Sequence, residues 1–549
     1  MQITKQYNKK NIEKNISNFS KMTREKYKVP DHFHFELKDR TWPGKKIETA
    51  PIWCEVGLRD WNQSIEKPMT VEQKLEYFNN LVNMWFKEIE VWFPSASQDD
   101  YNFVRLLIKQ NLIPENVKIQ ILVPARKNLI EKTRESLEWA KNVIIHLYNS
   151  TSEVQRKVVF NKSKEEIINL AISWVKWIKE SFSSFKWNIF FEYSPESFSW
   201  TEVKFAKEIS KKVFEKWENF WNNPVILNLP ATIENSTPDI YADKIEYFVR
   251  EFSKLNIKVL ISIHAHNDRW TAVATTELAV KAGADRIEWV ILWNWERTWN
   301  LDFITFAWNL MTQWVSTNLD FSNIWKVAQI FSKIIDIPIH PRHPYIWKFV
   351  NLAFSGSHQD AIKKCFDYCE GKDLKWMNAY LPFDPTDLGL EYEPIKINSQ
   401  SWKWWIAYIL QQEWYDIPKD IQKFVWNVSQ EESDKLKRIL EPDEIVKIFE
   451  DKFINNLWEI DYSDFDENNF NSGWTISKFS NYISEKLKIN FKIKFYEEKN
   501  LTEWKDSEAI TYFILEIDGV EILWIWKDKD ILESSKKWII SGLNNFVLP

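Results

Sequence analysis

Val259-Leu-Ile-Ser-Ile-His264-Ala-His266-Asn267-Asp268-Arg269 is an apolar, β-branched run that ends abruptly in two histidines, an amide and a carboxylate. Alternate side chains of a strand share a face, so His264 and His266 point the same way. Two imidazoles on one face at a strand's end are half of a metal site, and the other ligands must come from elsewhere in the chain. The plainer alternative is a pair of ordinary polar residues leaving a core strand. It is weakened by scarcity: only 8 His occur in 549 residues, and two of them stand here beside Asn-Asp. A helical stretch follows at Ala272–Ala282, which makes this segment one strand–helix unit.

The same unit recurs on both sides. Strands are expected at residues 50–58, 88–93, 118–123, 142–147, 189–193, 225–229, 259–263 and 286–292. Helical stretches lie between them, among them Val71–Met84 with Leu75, Phe78, Leu81 and Val82 at helical spacing, and others near 99–110, 164–180, 201–215 and 241–255. Eight such units over roughly 280 residues are the count and size of an α/β (β/α)8 (TIM) barrel, which places its chemistry at the C-terminal ends of the strands. The polar residues obey that rule. Arg59-Asp60 follows the first strand, and His146 with Asn149 ends another. Glu192, Ser194 and Glu196 follow a third, and Thr232 with Glu234 a fourth. His264 and His266, then Asn294, Glu296 and Asn300, close the circuit.

A chain of this length exceeds one hydrophobic core, so about two to four domains are expected. Residues 1–35 read as a charged arm, 36–335 as the barrel, and 336–435 as a linker region broken by Pro338, Pro341, Pro344, Pro382, Pro385 and Pro394. Residues 436–549 read as a C-terminal α+β module. It has helices near 443–454 and 476–487, an acidic loop at 461–471, strands near 490–496, 509–517 and 520–526, and a last helix at 530–545. The net charge of −6 gives no reason to expect a nucleic acid or an anionic membrane as partner. Three cysteines cannot build a disulfide framework, the lysine-rich start is no signal peptide, and no apolar run reaches membrane-spanning length. A cytoplasmic location is expected.

One compositional fact is abnormal: 33 Trp stand against 9 Gly, when glycine averages ~7 % of residues. The surplus tryptophans sit where glycine chemistry belongs, as in Trp293-Asn-Trp295-Glu-Arg-Thr-Trp299-Asn and Ser401-Trp402-Lys-Trp404-Trp405. Such loops use positive φ or close backbone approach, which an indole obstructs. Many of these positions are therefore expected to be glycine in the cell, from a codon that the translation table reads as Trp.

The motifs resemble a known family. Leu58-Arg-Asp-Trp-Asn-Gln63, His264-Ala-His-Asn-Asp-Arg269 and Asn294-Trp-Glu-Arg-Thr-Trp-Asn300 look like signatures of the α-isopropylmalate synthase family. That family belongs to a wider group of Claisen-condensing barrel enzymes that includes homocitrate and citramalate synthases. Residues 146–152, 193–197, 228–232, 355–361, 380–385 and 398–405 narrow the resemblance to the longer, second type of 2-isopropylmalate synthase. At Trp61, Trp270, Trp295, Trp299, Trp402, Trp404 and Trp405 the family has Gly. Two positions depart from its pattern: Gly57 replaces a usual acidic residue, which is expected to loosen support around the motif, and Leu390 replaces a usual arginine after Gly389.

The resemblance implies condensation of acetyl-CoA with 2-oxoisovalerate, an acyl transfer giving 2-isopropylmalate and CoA. It assigns Asp60, His264 and His266 as metal ligands, with Asn300 as a weaker oxygen ligand. Nitrogen and oxygen donors without thiolate suit Zn²⁺, and Mn²⁺ or Mg²⁺ also fit. Arg59 would face the oxygen on which charge develops, and Glu296 would orient Arg59 or a ligand. Thr232 would bind the keto acid carboxylate, and His146, Ser194 and Glu196 would line the pocket for its isopropyl group. His358 and Tyr380, beyond the barrel, would reach back for acid–base or hydrolytic steps. The C-terminal module resembles the family's leucine-binding regulatory domain with a shortened first unit, and a homodimer is implied. The rival readings are homocitrate or citramalate synthase, or a leucine-binding regulator whose barrel is blocked by literal tryptophans at 61, 295 and 299. Peptide mass spectrometry of the native protein is expected to return glycine at positions 293, 295 and 299; tryptophan masses there would sink the codon reading.

Overall fold

The computed structural model describes residues 35–528, apart from 65–66, 124–125, 186–187, 219, 221–222, 293–296, 299, 341, 347–349, 351–352, 354, 391–405, 407–408, 412, 414, 416, 439, 455–474, 489 and 501–508. The apolar runs become strands β1 (Ile52–Glu55), β2 (Glu88–Glu90), β3 (Lys118–Val123), β4 (Asn142–Ser150), β5 (Asn188–Glu196), β6 (Val225–Ala231), β7 (Val259–Ala265) and β8 (Arg286–Trp289). They form a closed barrel in sequence order, and β8 returns to β1 in parallel register from Ile52↔Arg286 to Glu55↔Trp289. A short helix α1 (Gly57–Ser64) leaves β1 directly. Then α2 (Val71–Asn83), α3 (Gln98–Lys109), α4 (Lys127–Ser136), α5 (Lys164–Phe182), α6 (Val203–Trp217), α7 (Pro238–Phe252), α8 (Ala272–Lys281) and α9 (Phe303–Met311) follow the eight strands in turn. The expected TIM barrel is what the chain builds.

Helices α2 and α5 start where the sequence puts capping chemistry. Thr70 with Gln73 closes a capping box on α2, and Ser163 with Glu166 closes one on α5, each cap contributing about 1 kcal/mol. Apolar side chains fill the layer between strands and helices, including Phe78, Leu81, Phe103, Ile121, Ile145, Phe191, Phe214 and Phe248. The barrel interior is different. Glu88, Gln120, Glu192, Arg286 and Glu288 are buried there, where branched aliphatic residues usually stack.

Strands β4, β5 and β6 run further than their apolar stretches. Tyr148↔Ser194, Asn149↔Pro195 and Ser150↔Glu196 continue the ladder beyond the last aliphatic residue. Main-chain pairing does not require apolar side chains, so Asn149 is carried on β4 and Glu192, Ser194 and Glu196 on β5, whereas Thr232 and Glu234 lie beyond β6. β2 and β8 are correspondingly shorter than their apolar spans.

Among the described residues five tryptophans adopt positive φ: Trp85 (71°), Trp92 (90°), Trp139 (75°), Trp270 (61°) and Trp314 (68°). Trp85 follows the last turn of α2 and Trp314 that of α9. In both places the next amide bonds back five residues, Phe86 N to Leu81 O and Val315 N to Leu310 O. This is the helix ending that glycine serves, and a β-carbon there costs roughly 1–2 kcal/mol. Trp85, Trp139, Trp270 and Trp314 are also exposed, so their indoles gain little burial in exchange.

The chain divides into two compact units: the barrel up to Trp347 with Asp387–Leu390, and Lys348–Thr386 with everything from Glu391 onward. The first ends with α10 (Ile324–Ile335) packed on α2 through the stacked rings of Tyr77 and Phe331. The second contains α11 (Gly356–Cys369), α12 (Gln422–Leu436), α13 (Pro442–Phe453), α14 (Thr475–Leu487) and an antiparallel sheet, β9 (Phe491–Asn500), β10 (Ala509–Ile517) and β11 (Val520–Asp528), in the order β11-β10-β9. Val425, Ile445 and Phe449 pack against Tyr512, Ile514 and Ile525 of this sheet. The expected acidic loop at 461–471 and last helix at 530–545 lie outside the described residues.

The turn from β1 to α1 sets the position of Arg59 and Asp60. A β-carbon at Gly57 would lie 2.5 Å from Glu55 Oε1, so the carboxylate of Glu55 fills the space where the family pattern led us to expect loosened support. Glu55 accepts a hydrogen bond from Tyr77 Oη at 2.5 Å and from the backbone amides of Gly57 and Ile291. It thereby ties α1, α2 and the end of β8 together. Burial lifts its pKa from the ordinary 4.5 to about 8, against the pull of these donors. The folded state thus holds a proton that the unfolded chain releases, and the stability this confers is lost as pH rises from 4.5 towards 8. Glu55→Gln should leave the Tm unchanged below this window and raise it at the upper end; a Tm below that of the native protein at the upper end would contradict the assignment.

Candidate active site

Asp60, on α1, is fully buried and faces the ends of β7 and β8. Its carboxylate accepts from Asn300 Nδ2 at 3.0 Å, lies 3.6 Å from His264 Nε2, and is ion-paired with Arg59. His264 is carried on β7 and His266 just after it, their ring centroids 5.2 Å apart. An antiparallel bridge joins His266 to Asn300. The four residues expected to hold a metal therefore meet at the barrel mouth. Asn300 Oδ1 is buried and accepts no hydrogen bond, so an oxygen donor is present beside a carboxylate and two imidazoles. This donor set fits a divalent ion.

Electrostatics agree with that fit. Burial, aided by His264, Arg297 and Arg59, holds His266 well below the usual imidazole range, so the ring is neutral as a ligand must be. Burial lifts Asp60 to about 6, while Arg59 and His264 pull the other way. Arg59 is disfavoured by burial yet held firmly cationic by Asp60 and Glu90. Burial also raises Glu196, opposed by the Ser150 hydroxyl.

A cavity of about 240 Å³ opens over these groups. Arg59, Asp60, His146, Ser194, Glu196, Thr232, His264 and His266 line it, with Tyr148, Leu122 and Pro230 supplying apolar surface. His146 Nε2 is 2.7 Å from Ser194 Oγ, which accepts from Asn228 Nδ2 at 3.0 Å. Thr232 Oγ1 accepts the amide of Ser197 at 3.0 Å. His358 and Tyr380 belong to the second compact unit, where both are exposed and their rings stack at 3.9 Å. Glu296 lies outside the described residues.

The site also contains residues the sequence reading missed. Glu90 of β2 sits 2.9 Å from Arg59 Nε and so joins Glu296 as a residue that can orient this guanidinium. Arg297 donates to Thr232 O at 2.7 Å and to Asp268 Oδ1 at 2.9 Å, and also to His266 Nδ1 at 2.9 Å, a lone pair that His266 would offer a metal only on releasing this bond. Glu288 lies 3.2 Å from His264 Nδ1. A signal for two of these exists in Glu88-Ile-Glu90 and Arg286-Ile-Glu288, where charges alternate with isoleucine inside core strands. Donor atoms of Glu90, His146 and Glu288 also come within 4.8 Å of one another. The Gln120 amide stands among them, 3.3 Å from Glu90 Oε2, 3.3 Å from His146 Nδ1 and 2.7 Å from Glu288 Oε1. An amide nitrogen does not ligate a cation, so that trio is wired as a hydrogen-bond network.

Comparison with known proteins agrees with the geometry. Residues 50–331 match the HMGL-like family model, and 348–411 match that of the α-isopropylmalate synthase post-catalytic domain. The 2-isopropylmalate synthase of Acetoanaerobium sticklandii is 40% identical over 540 residues, covering 93% of this chain and 95% of its own. That of Clostridium acetobutylicum is 40% identical over 542 residues, covering 93% and 97%. That of Pseudomonas savastanoi pv. phaseolicola is 49% identical over 404 residues, covering 73% and 72%. Among solved structures, an HMG-CoA lyase from Bacillus subtilis aligns with a TM-score of 0.44 at 18% identity, over 54% of this chain and 97% of its own. With the barrel, the mouth cluster and relatives matching nearly end to end, the chain belongs to the 2-isopropylmalate synthase family.

Proposed function

We propose that this protein condenses acetyl-CoA with 2-oxoisovalerate to give 2-isopropylmalate and CoA, the committed step towards leucine. The observation that carries the reading is the meeting of Arg59, Asp60, His264, His266 and Asn300 at one barrel mouth. Asp60, His264 and His266, with Asn300 as a weaker donor, hold a divalent cation (Zn²⁺, Mn²⁺ or Mg²⁺). When bound there, such an ion would supply Lewis-acid polarisation to the keto acid.

The chain's own residues do the rest. The acetyl methyl loses a proton, its carbon bonds to the keto carbon, and the keto oxygen takes up a proton; water then cleaves the thioester and CoA leaves as the thiol. Arg59, fixed by Glu90 and Asp60, stabilises the charge on the keto oxygen as the bond forms. Thr232 binds the carboxylate of the keto acid. His146 and Ser194 fix the wall of the pocket, and Leu122, Tyr148 and Pro230 supply the apolar surface an isopropyl group needs. Glu196, its pKa raised by burial, binds substrate and exchanges protons near it. Glu296, His358 and Tyr380 take part in orientation and in acid–base or hydrolytic steps. Leucine acts as a feedback effector through the C-terminal unit, and the working form is a homodimer. Among the described residues no helix is long and apolar enough to cross a membrane, consistent with a cytoplasmic enzyme.

The test is CoA release from acetyl-CoA with 2-oxoisovalerate, compared with pyruvate and 2-oxoglutarate, with and without added divalent metal. Activity confined to 2-oxoisovalerate and dependent on metal is expected; preference for either other acid would replace the reading with citramalate or homocitrate synthase. Arg59→Ala should lower kcat about 10²–10³-fold, the effect of deleting one preorganised donor at a developing oxyanion. A kcat within error of the native value would remove Arg59 from that role. Isotherms without leucine binding, and rates unaffected by millimolar leucine, would remove the effector.

A further inference from the structure

We infer that Glu288 is a positioning residue that locks His264 in the tautomer able to bind a metal and joins it to the keto acid pocket. Glu288 is buried in β8, and its two carboxylate oxygens divide their work. Oε1 accepts from Gln120 Nε2 at 2.7 Å and Arg286 Nη1 at 3.3 Å. Oε2 accepts from Asn228 Nδ2 at 3.0 Å and faces His264 Nδ1 at 3.2 Å. A carboxylate oxygen opposite Nδ1 requires the proton on Nδ1. The lone pair then lies on Nε2, the nitrogen 3.6 Å from Asp60 Oδ2. Metal-ligating histidines are commonly held by a carboxylate in this way, which fixes ring orientation and increases ligand basicity.

The same carboxylate reaches the other side of the pocket. Asn228 Nδ2 is shared between Glu288 Oε2 and Ser194 Oγ, each at 3.0 Å, and Ser194 Oγ lies 2.7 Å from His146 Nε2. Gln120 closes the circuit from Glu288 to His146 Nδ1. Through Glu288 one continuous network joins a proposed ligand to two proposed substrate-pocket residues. With Gln120, Arg286, Asn228 and His264 all donating, and Glu192 hydrogen-bonded beside them, an amide cannot replace it: one end of a glutamine would set N–H against N–H.

The inference rests on the metal reading of Asp60, His264 and His266, and the test separates the two. In metal-free native protein with 15N-labelled histidine, long-range 1H–15N spectra should show His264 in the Nδ1–H form. Glu288→Gln should shift that population towards Nε2–H and raise the Zn²⁺ Kd about 10–100-fold, the usual cost of losing such a partner. A native Nε2–H tautomer would overturn the inference even if Glu288→Gln does not fold. So would an unchanged Kd in Glu288→Gln while His264→Ala weakens binding. An unchanged Kd in His264→Ala would instead defeat the metal reading itself.

Discussion

Arg286 is a guanidinium with no solvent exposure on the inner side of a closed barrel, and the arrangement of the site follows from satisfying it. Its Nε donates to Glu88 at 2.6 Å, its Nη2 to Gln120 at 2.5 Å, and its Nη1 to Ser262 at 2.9 Å and Glu288 at 3.3 Å, with Glu192 3.4 Å away. A buried charge left without partners costs about 3–5 kcal/mol, so strands β2, β3, β5, β7 and β8 must each deliver a polar group at the right height. Barrel closure and the polar network are thus one requirement. The carboxylates respond differently to this cation. Burial leaves Glu192 raised well above the usual range, whereas the pull of His264, His146 and Arg286 overcomes burial and keeps Glu288 ionised.

From this network the site is built outward in layers. Arg286 and Gln120 hold Glu288, Glu288 holds His264, and His264 with Asp60 and Asn300 frames the mouth. On the opposite side Glu90 and Asp60 hold Arg59, itself carried on a helix whose first turn is tied down by Glu55. Few of these groups have rotational freedom, which is what a site acting through preorganised charge needs. Burial above all keeps His266 unprotonated, with His264, Arg297 and Arg59 around the pocket adding to it.

The barrel was legible in the sequence because each apolar run was followed by a helical period, and parallel strands covered on both faces leave that trace. That Asp60, His146, Ser194, Glu196, Thr232, His264 and His266 would gather at the barrel mouth was legible because each stood where an apolar run turned polar, whereas Asn300 was singled out by the family resemblance. Glu90, Glu288 and Arg297 were not. In the first two cases charges do alternate with isoleucine, but strands of three and four residues are too short to establish a period, and a charge there reads as a strand's end. Arg297 acts through a loop conformation with φ of 63°, which no local pattern announces. The exchange between Gly57 and Glu55 was half visible: the missing carboxylate could be read, but that residue 55 fills the same space required the fold. The tryptophan surplus was read from composition, and the left-handed torsions at Trp85, Trp139, Trp270 and Trp314 now give it a backbone basis.

Two groups of donors compete as the resting place of a cation in this barrel: Asp60, His264 and His266 at the mouth, and Glu90, His146 and Glu288 beneath it. The proposed reaction depends on the first, because the second is occupied by the Gln120 amide and is needed to hold His264. Anomalous diffraction at the zinc edge from crystals of the zinc-loaded protein distinguishes them directly. The account predicts one peak coordinated by Asp60, His264 and His266, with Asn300 Oδ1 beside it; a peak ligated by Glu90, His146 and Glu288 would contradict it.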